Sequence, residues 1–215
     1  MTRRLILASA STARLGLLRT AGFAPEVMVS GEPEDGVDGL PAAEVARTLA
    51  ERKATAVVAR LTAAGAGVGA DALVLGCDSV LDVAGEVRGK PPSAEVAATW
   101  CRGYRGAVGT LHTGHALIDV ATGRSAGAVA ATTVRFGAMT DAEIAAYVAT
   151  REPLAVAGGF TIDGYAAPFV DGIDGDHTNV LGLSLPLFRR LLADLGVAIT
   201  DLWATPDRSG GAERQ

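Results

Sequence analysis

The sequence predicts a mixed α/β fold on three observations. A short buried strand near the N-terminus runs into a hydroxyl-rich turn and a helix, two long β-rich runs lie between residues 113 and 136, and capped amphipathic helices separate the other apolar segments. With 215 residues that are 49% hydrophobic, the chain has enough apolar mass for a sizeable core, which excludes disorder throughout. The expected organisation is one domain over residues 1–204 followed by a frayed tail over 205–215.

Leu5-Ile6-Leu7-Ala8 reads as the first strand, and Ser9 to Thr12 supply cap chemistry for a helix through Leu15, Leu17 and Leu18 that stops at Gly22. A short strand over 25–30 precedes a polar loop, Gly31 to Gly39, and Pro41 opens a long helix to about Ala64. After an Ala/Gly-rich connector over 62–70, Leu73 to Cys77 reads as a buried strand ending at Asp78-Ser79. Ala84-Gly85 then turns a hairpin through Glu86 to Arg88. Ser93 caps a helix through Trp100 and Cys101, and Thr122 to Ser125 join the two long strands. Thr140 and Glu143 form a capping box, residues 153–182 read as short strands and Gly-rich turns, and Pro186 starts a last helix ending at Gly196.

A net charge of −5 with no long Lys/Arg run excludes the basic footprint of a nucleic-acid binder, and no apolar stretch approaches the ~20 residues of a membrane span. Cys77 and Cys101 sit in no CxxC pair, which speaks against a disulfide framework or a thiolate zinc site. The expectation is a cytoplasmic protein. Lysine occurs only at positions 53 and 90, so each of the two is informative where arginine is the chain's usual cation.

Arg14 faces the positive end of the helix dipole in its first turn, and an anion there would reverse that cost. With the hydroxyls of Ser9 and Ser11 it resembles a phosphate cradle; a plain serine cap beside a solvated arginine is the other reading. Asp78, at the end of a buried strand, could ligate a hard cation, act as a general base or simply hold a turn. Glu34, in the acidic loop, offers a second metal-directed carboxylate or a solvated charge. Helical spacing places Lys53 between Leu49 and Val57, inside an apolar stripe, and Gly89 and Pro91 fix Lys90. Together Arg14, Lys53 and Lys90 against Asp78 and Glu34 describe a site for a metal and a polyphosphate. His112 and His115, three apart in a strand, point to opposite faces, and His177 lies in a polar turn, so no histidine metal centre is expected. Trp100 and Trp203 read as packing residues.

These segments resemble the Maf-type nucleotide pyrophosphatases, a family also described as septum-formation inhibitors. The shared features are Leu-Ala-Ser-x-Ser-x-x-Arg at 7–14, Lys-Ala at 53–54, Gly-x-Asp-Ser at 76–79, Gly-Lys-Pro at 89–91, Glu-Pro-Leu at 152–154, Ala-Gly-Gly-Phe at 157–160 and Val-Leu-Gly-Leu-Ser-Leu-Pro at 180–186. The resemblance implies a mixed twisted sheet with two lobes around a cleft, similar to inosine-triphosphate pyrophosphatases, and a homodimer. It implies hydrolysis of a nucleoside triphosphate to the monophosphate and pyrophosphate with a divalent cation, Mg²⁺ or Mn²⁺. By motif position Asp78 would be the general base and, with Glu34, a metal ligand. Ser9, Ser11 and Arg14 would grip phosphate, and Lys53 and Lys90 would neutralise it.

The chain departs from the pyrimidine-preferring branch in having Ala13 in place of one of two arginines, Ser79 for threonine, Ala155-Val156 for Asp-Lys and Asp163 for glutamine. Ala13, Ser79 and Asp163 fall at positions linked to base choice, so the resemblance leaves the base open. A nucleotide-binding regulator of septum formation with little catalysis is the alternative function, and a phosphatase for another metabolite a third.

Overall fold

The computed structural model describes residues 3–65 and 71–204. Along the chain lie β1 (Arg4–Leu7), α1 (Thr12–Thr20), β2 (Glu26–Val27), α2 (Ala42–Ala63), β3 (Ala72–Val83), β4 (Glu86–Arg88), α3 (Ala94–Gly103), β5 (Val108–Asp119), β6 (Ser125–Phe136), α4 (Asp141–Ala149), β7 (Val170–Asp174), α5 (His177–Val180) and α6 (Leu185–Asp194). The α/β class is as expected. The sheet is mixed and open, in the order β2-β1-β3-β5-β6-β7, with β4 paired to the far end of β3.

Local chemistry fixes most element ends. Ser11, Ser93 and Ser184 each accept a backbone N–H from the first turn of α1, α3 and α6, and Thr140 and Glu143 close the capping box of α4. The Ala84-Gly85 turn has both residues at positive φ, 55° and 83°, which suits a two-residue hairpin.

Three expectations differ from the structure. The first long strand does not stop at Asp78: β3 runs twelve residues, because beyond the end of β1 it continues on an antiparallel ladder with β5 that reaches from Leu73 to Asp82. The strand near residue 25 is only two residues long. Residues 153–182 are mostly 3₁₀ turns, with β7 their one long strand and α5 a single turn of helix. The expected tail, 205–215, and part of the connector after α2 lie outside the described residues.

The core flanks both faces of the sheet. Leu73, Leu75 and Cys77 pack with Leu18, Phe188 and Leu192 toward α1 and α6, whereas Leu81 and Val83 join Tyr104, Phe136, Ile144 and Tyr147 beneath α3 and α4. On the opposite face α2 lies close against β3 and β5. A Cβ on Gly76 would fall on the Ala50 carbonyl oxygen, and one on Gly114 on the Ala46 carbonyl oxygen. Two bare glycines therefore let a helix faced with alanines settle onto the sheet, and Lys53 lies less than one turn beyond Ala50.

Candidate functional site

A cleft of about 930 Å³ opens where β1 ends and β3 continues, bounded by the N-terminus of α1, the acidic loop, α2, the Lys90 loop and the segments 155–163 and 180–182. Ser9, Ser11, Ala13, Arg14, Glu34, Lys53, Asp78, Ser79, Lys90 and Asp163 all line it. The structure thus gathers in one hollow every candidate site residue named from the sequence.

Asp78 sits mid-strand and is only 7% exposed. Its carboxyl meets the Lys53 ammonium, which also reaches the Glu34 carboxyl at 2.7 Å. The apolar-stripe position of Lys53 is explained by this contact: the stem crosses the packed face of α2 and the ammonium, with its side chain 12% exposed, emerges between two acids. Burial strips water from the ionised Asp78 carboxyl and raises it above the usual range; Lys53 and Arg14 pull it back without cancelling the rise, and the charge of Glu34 adds to it. For Glu34 burial also pushes upward, but the hydrogen bond and charge of Lys53, with smaller help from Lys90 and Arg14, leave it below the ordinary value.

Arg14 is 9% exposed, and its guanidinium is tied in three directions. Nε donates to the Gly182 carbonyl at 2.6 Å, Nη1 to Ser9 Oγ at 2.9 Å and Nη2 to Ser79 Oγ at 2.9 Å. Ser79 Oγ also shares a 2.9 Å hydrogen bond with Thr113 Oγ1. The cation is therefore part of a polar network that fixes the two hydroxyls, and two of its five N–H groups make no hydrogen bond among the described residues. Ser11 Oγ accepts the Arg14 N–H at 3.3 Å as the cap of α1. Lys90, in the loop after β4, is an exposed lining residue of the cleft and forms no ion pair among the described residues.

Val156 lines the cleft where the resembling branch carries lysine, and Arg88 does not fill the gap. Its guanidinium turns away, 5.6 Å from the Trp100 ring centroid and 5.1 Å from that of Tyr104. The sequence motifs do not reveal the Gly182 carbonyl as a partner; its one signal is a glycine, held at φ 101°, where a Cβ would lie 3.2 Å from Arg14 Nε.

The donor set fits a hard divalent cation. Two carboxyls converge on one positive centre, and among the described residues each keeps one oxygen without a hydrogen bond. Among the described residues no group of three or more His, Cys, Asp or Glu side chains gathers, so phosphate oxygens and water would complete the shell. No helix among the described residues is long and apolar enough to cross a membrane.

A family model described as Maf-like protein matches residues 4–195. A nucleoside triphosphate pyrophosphatase of Streptomyces coelicolor is 60% identical over 202 residues, 94% of this chain and 95% of that protein. Proteins of the same name from Salinispora tropica and a Mycobacterium strain are 54% and 45% identical, each over 94% of this chain and over 88% and 99% of their own lengths.

Proposed function

The chain belongs to the Maf family, and we infer that it is a nucleoside triphosphate pyrophosphatase, which cleaves the α–β phosphoanhydride to give a nucleoside monophosphate and pyrophosphate. The observation that supports the site reading best is the meeting of Asp78 and Glu34 on Lys53 inside a cleft that also holds Ser9, Ser11, Arg14 and Lys90.

In this reading Asp78 accepts a proton as water attacks the α-phosphorus. A phosphorus–oxygen bond to water forms, the bridging bond to the β-phosphate breaks, and pyrophosphate departs with its electron pair. Burial raises Asp78 and so strengthens it as a base, while the charges of Lys53 and Arg14 favour its ionised form. Ser9, Ser11 and the N-terminus of α1 hold phosphate oxygens, and Arg14 fixes the serine geometry while adding positive charge. Lys53 and Lys90 offset the charge that builds on the phosphates. A divalent cation, Mg²⁺ or Mn²⁺, held by Asp78 and Glu34 would supply Lewis-acid polarisation of the phosphate.

The purified protein incubated with Mg²⁺ or Mn²⁺ and a panel of ordinary and modified nucleoside triphosphates tests this. Monophosphate and pyrophosphate as the products, lost on chelation and restored by metal, are the expected result. Binding without products would favour the regulator of septum formation, and orthophosphate release a phosphatase. The reading extends to a cytoplasmic homodimer with no nucleic-acid or membrane partner, with modified nucleotides as candidate substrates. Sedimentation in solution reports the subunit count.

A further inference from the structure

We propose that Tyr104 is a positioning residue for the reaction, acting on Lys90 through Gly158 and Gly89; this rests on the phosphate-neutralising role given to Lys90 above. The hydroxyl of Tyr104, the residue that caps the C-terminus of α3, donates to the Gly158 carbonyl at 2.7 Å. The Gly158 N–H in turn donates to the Gly89 carbonyl at 2.8 Å, one residue before Lys90. Arg88, the residue before Gly89, lays its guanidinium 5.1 Å from the centroid of the same tyrosine ring. Both chain contacts immediately upstream of Lys90 therefore lead to one side chain.

The arrangement answers a local problem. Gly158 and Gly159 both hold left-handed backbone, at φ 69° and 65°, and a Cβ on Gly158 would lie 2.7 Å from Leu81 Cβ. Two such residues in succession join no regular ladder, so their buried carbonyls need side-chain donors. Tyr104 serves Gly158, and the Tyr147 hydroxyl, from α4, serves Gly159 at 3.2 Å. Tyr104 also stacks on Phe136 at 4.6 Å, and Phe136 meets Phe160 edge-on at 5.0 Å. Phe160 and Val156 face the cleft, so the ring and its hydroxyl brace two parts of one wall.

Tyr104 is buried beneath that wall, behind the cleft-facing residues, so it acts through its neighbours. Tyr104→Phe keeps the ring and its stacking, and removes the hydroxyl that donates to Gly158 and interacts with the Arg88 guanidinium. The test is a double-mutant cycle with Lys90→Ala, read as the Kd for inorganic tripolyphosphate and as kcat and KM for a hydrolysed triphosphate, with melting curves to verify folding. Tyr104→Phe should weaken tripolyphosphate binding about three- to tenfold, the worth of one hydrogen bond. In the Lys90→Ala background the same change should have no further effect, because there is no charge left to position. Arg88→Met, which frees the other tether, should show the same non-additivity and serves if Tyr104→Phe folds poorly.

Wild-type affinity in Tyr104→Phe, or losses that multiply in the double variant, would overturn the proposal, since a purely structural role predicts independent effects. If Lys90→Ala is impaired and Tyr104→Phe is not, only the Tyr104 assignment falls. If Lys90→Ala itself keeps normal binding and turnover, the role of Lys90 falls and this proposal falls with it.

Discussion

Lys53 reaches Asp78 from a different layer of the molecule, its ammonium held at once by that carboxyl in β3 and, at 2.7 Å, by Glu34 of the loop before α2. The contact couples the protonation of the buried acid to two charges of opposite effect, and several outcomes follow from the signs.

Asp78→Asn should lower kcat by about 10²–10⁴-fold if the carboxyl takes the proton from water. The fold should survive, because the change removes a buried charge whose ionised form burial disfavours. Initial rates beside a thermal melt separate the two effects.

The acid limb of kcat/KM should lie above the ordinary carboxylate range, since Asp78 must be ionised and burial raises it. Lys53 lowers Asp78 and Glu34 raises it. Lys53→Met should accordingly move the limb to higher pH, and Glu34→Gln to lower pH. Residual activity followed from pH 4 to 9 reads both shifts, and shifts of the same sign would show that another group governs the limb.

His115 is fully buried; its Nε2 accepts the Ser184 N–H at 2.9 Å, and burial holds it down to about 4. The folded value is depressed below that of the unfolded chain, so its stabilising contribution is present above about pH 6.5 and is lost as pH falls toward 4. Denaturant midpoints should decline through that window in the wild type and decline less in His115→Gln, where no proton is taken up.

Gly114→Ala should destabilise the protein by roughly 1–3 kcal/mol, since the added methyl would meet backbone of α2 and not a flexible side chain. Lifting that helix also draws Lys53 from Asp78, so turnover should fall together with the melting temperature. Gly16→Ala, in α1 with open space around it, should leave the melting temperature the same or raise it.

What could be read from the sequence was what is decided within a few residues. The serine cap at 93, the Thr140–Glu143 box and the Ala84-Gly85 turn each act locally and are where the pattern places them, and the cap of α1 is Ser11, within the Ser9 to Thr12 run. Asp78-Ser79 looked like a strand end because the pair favours turns, but pairing with Gly114 and Thr113 of β5 overrides that preference. The lone lysine in an apolar stripe signalled a charge with a partner, whereas the partner's identity depends on how closely α2 meets the sheet. That three N–H groups of Arg14 are taken up by Gly182, Ser9 and Ser79 was likewise not visible, because the partners are up to 168 positions apart along the chain. The tyrosines beneath residues 158 and 159 left no local signal, for they look like ordinary aromatic packing until the glycine carbonyls are seen above them.

The strand bearing Asp78 is a single unbroken beam: Leu73 and Leu75 anchor one half, Leu81 and Val83 the other, and Ala72, Val74 and Val80 root it in the remaining apolar clusters. The acid stands at mid-span. The same strand thus ties both apolar layers together beneath the cleft, and the acid that would do the chemistry is built into that shared floor while loops border the mouth.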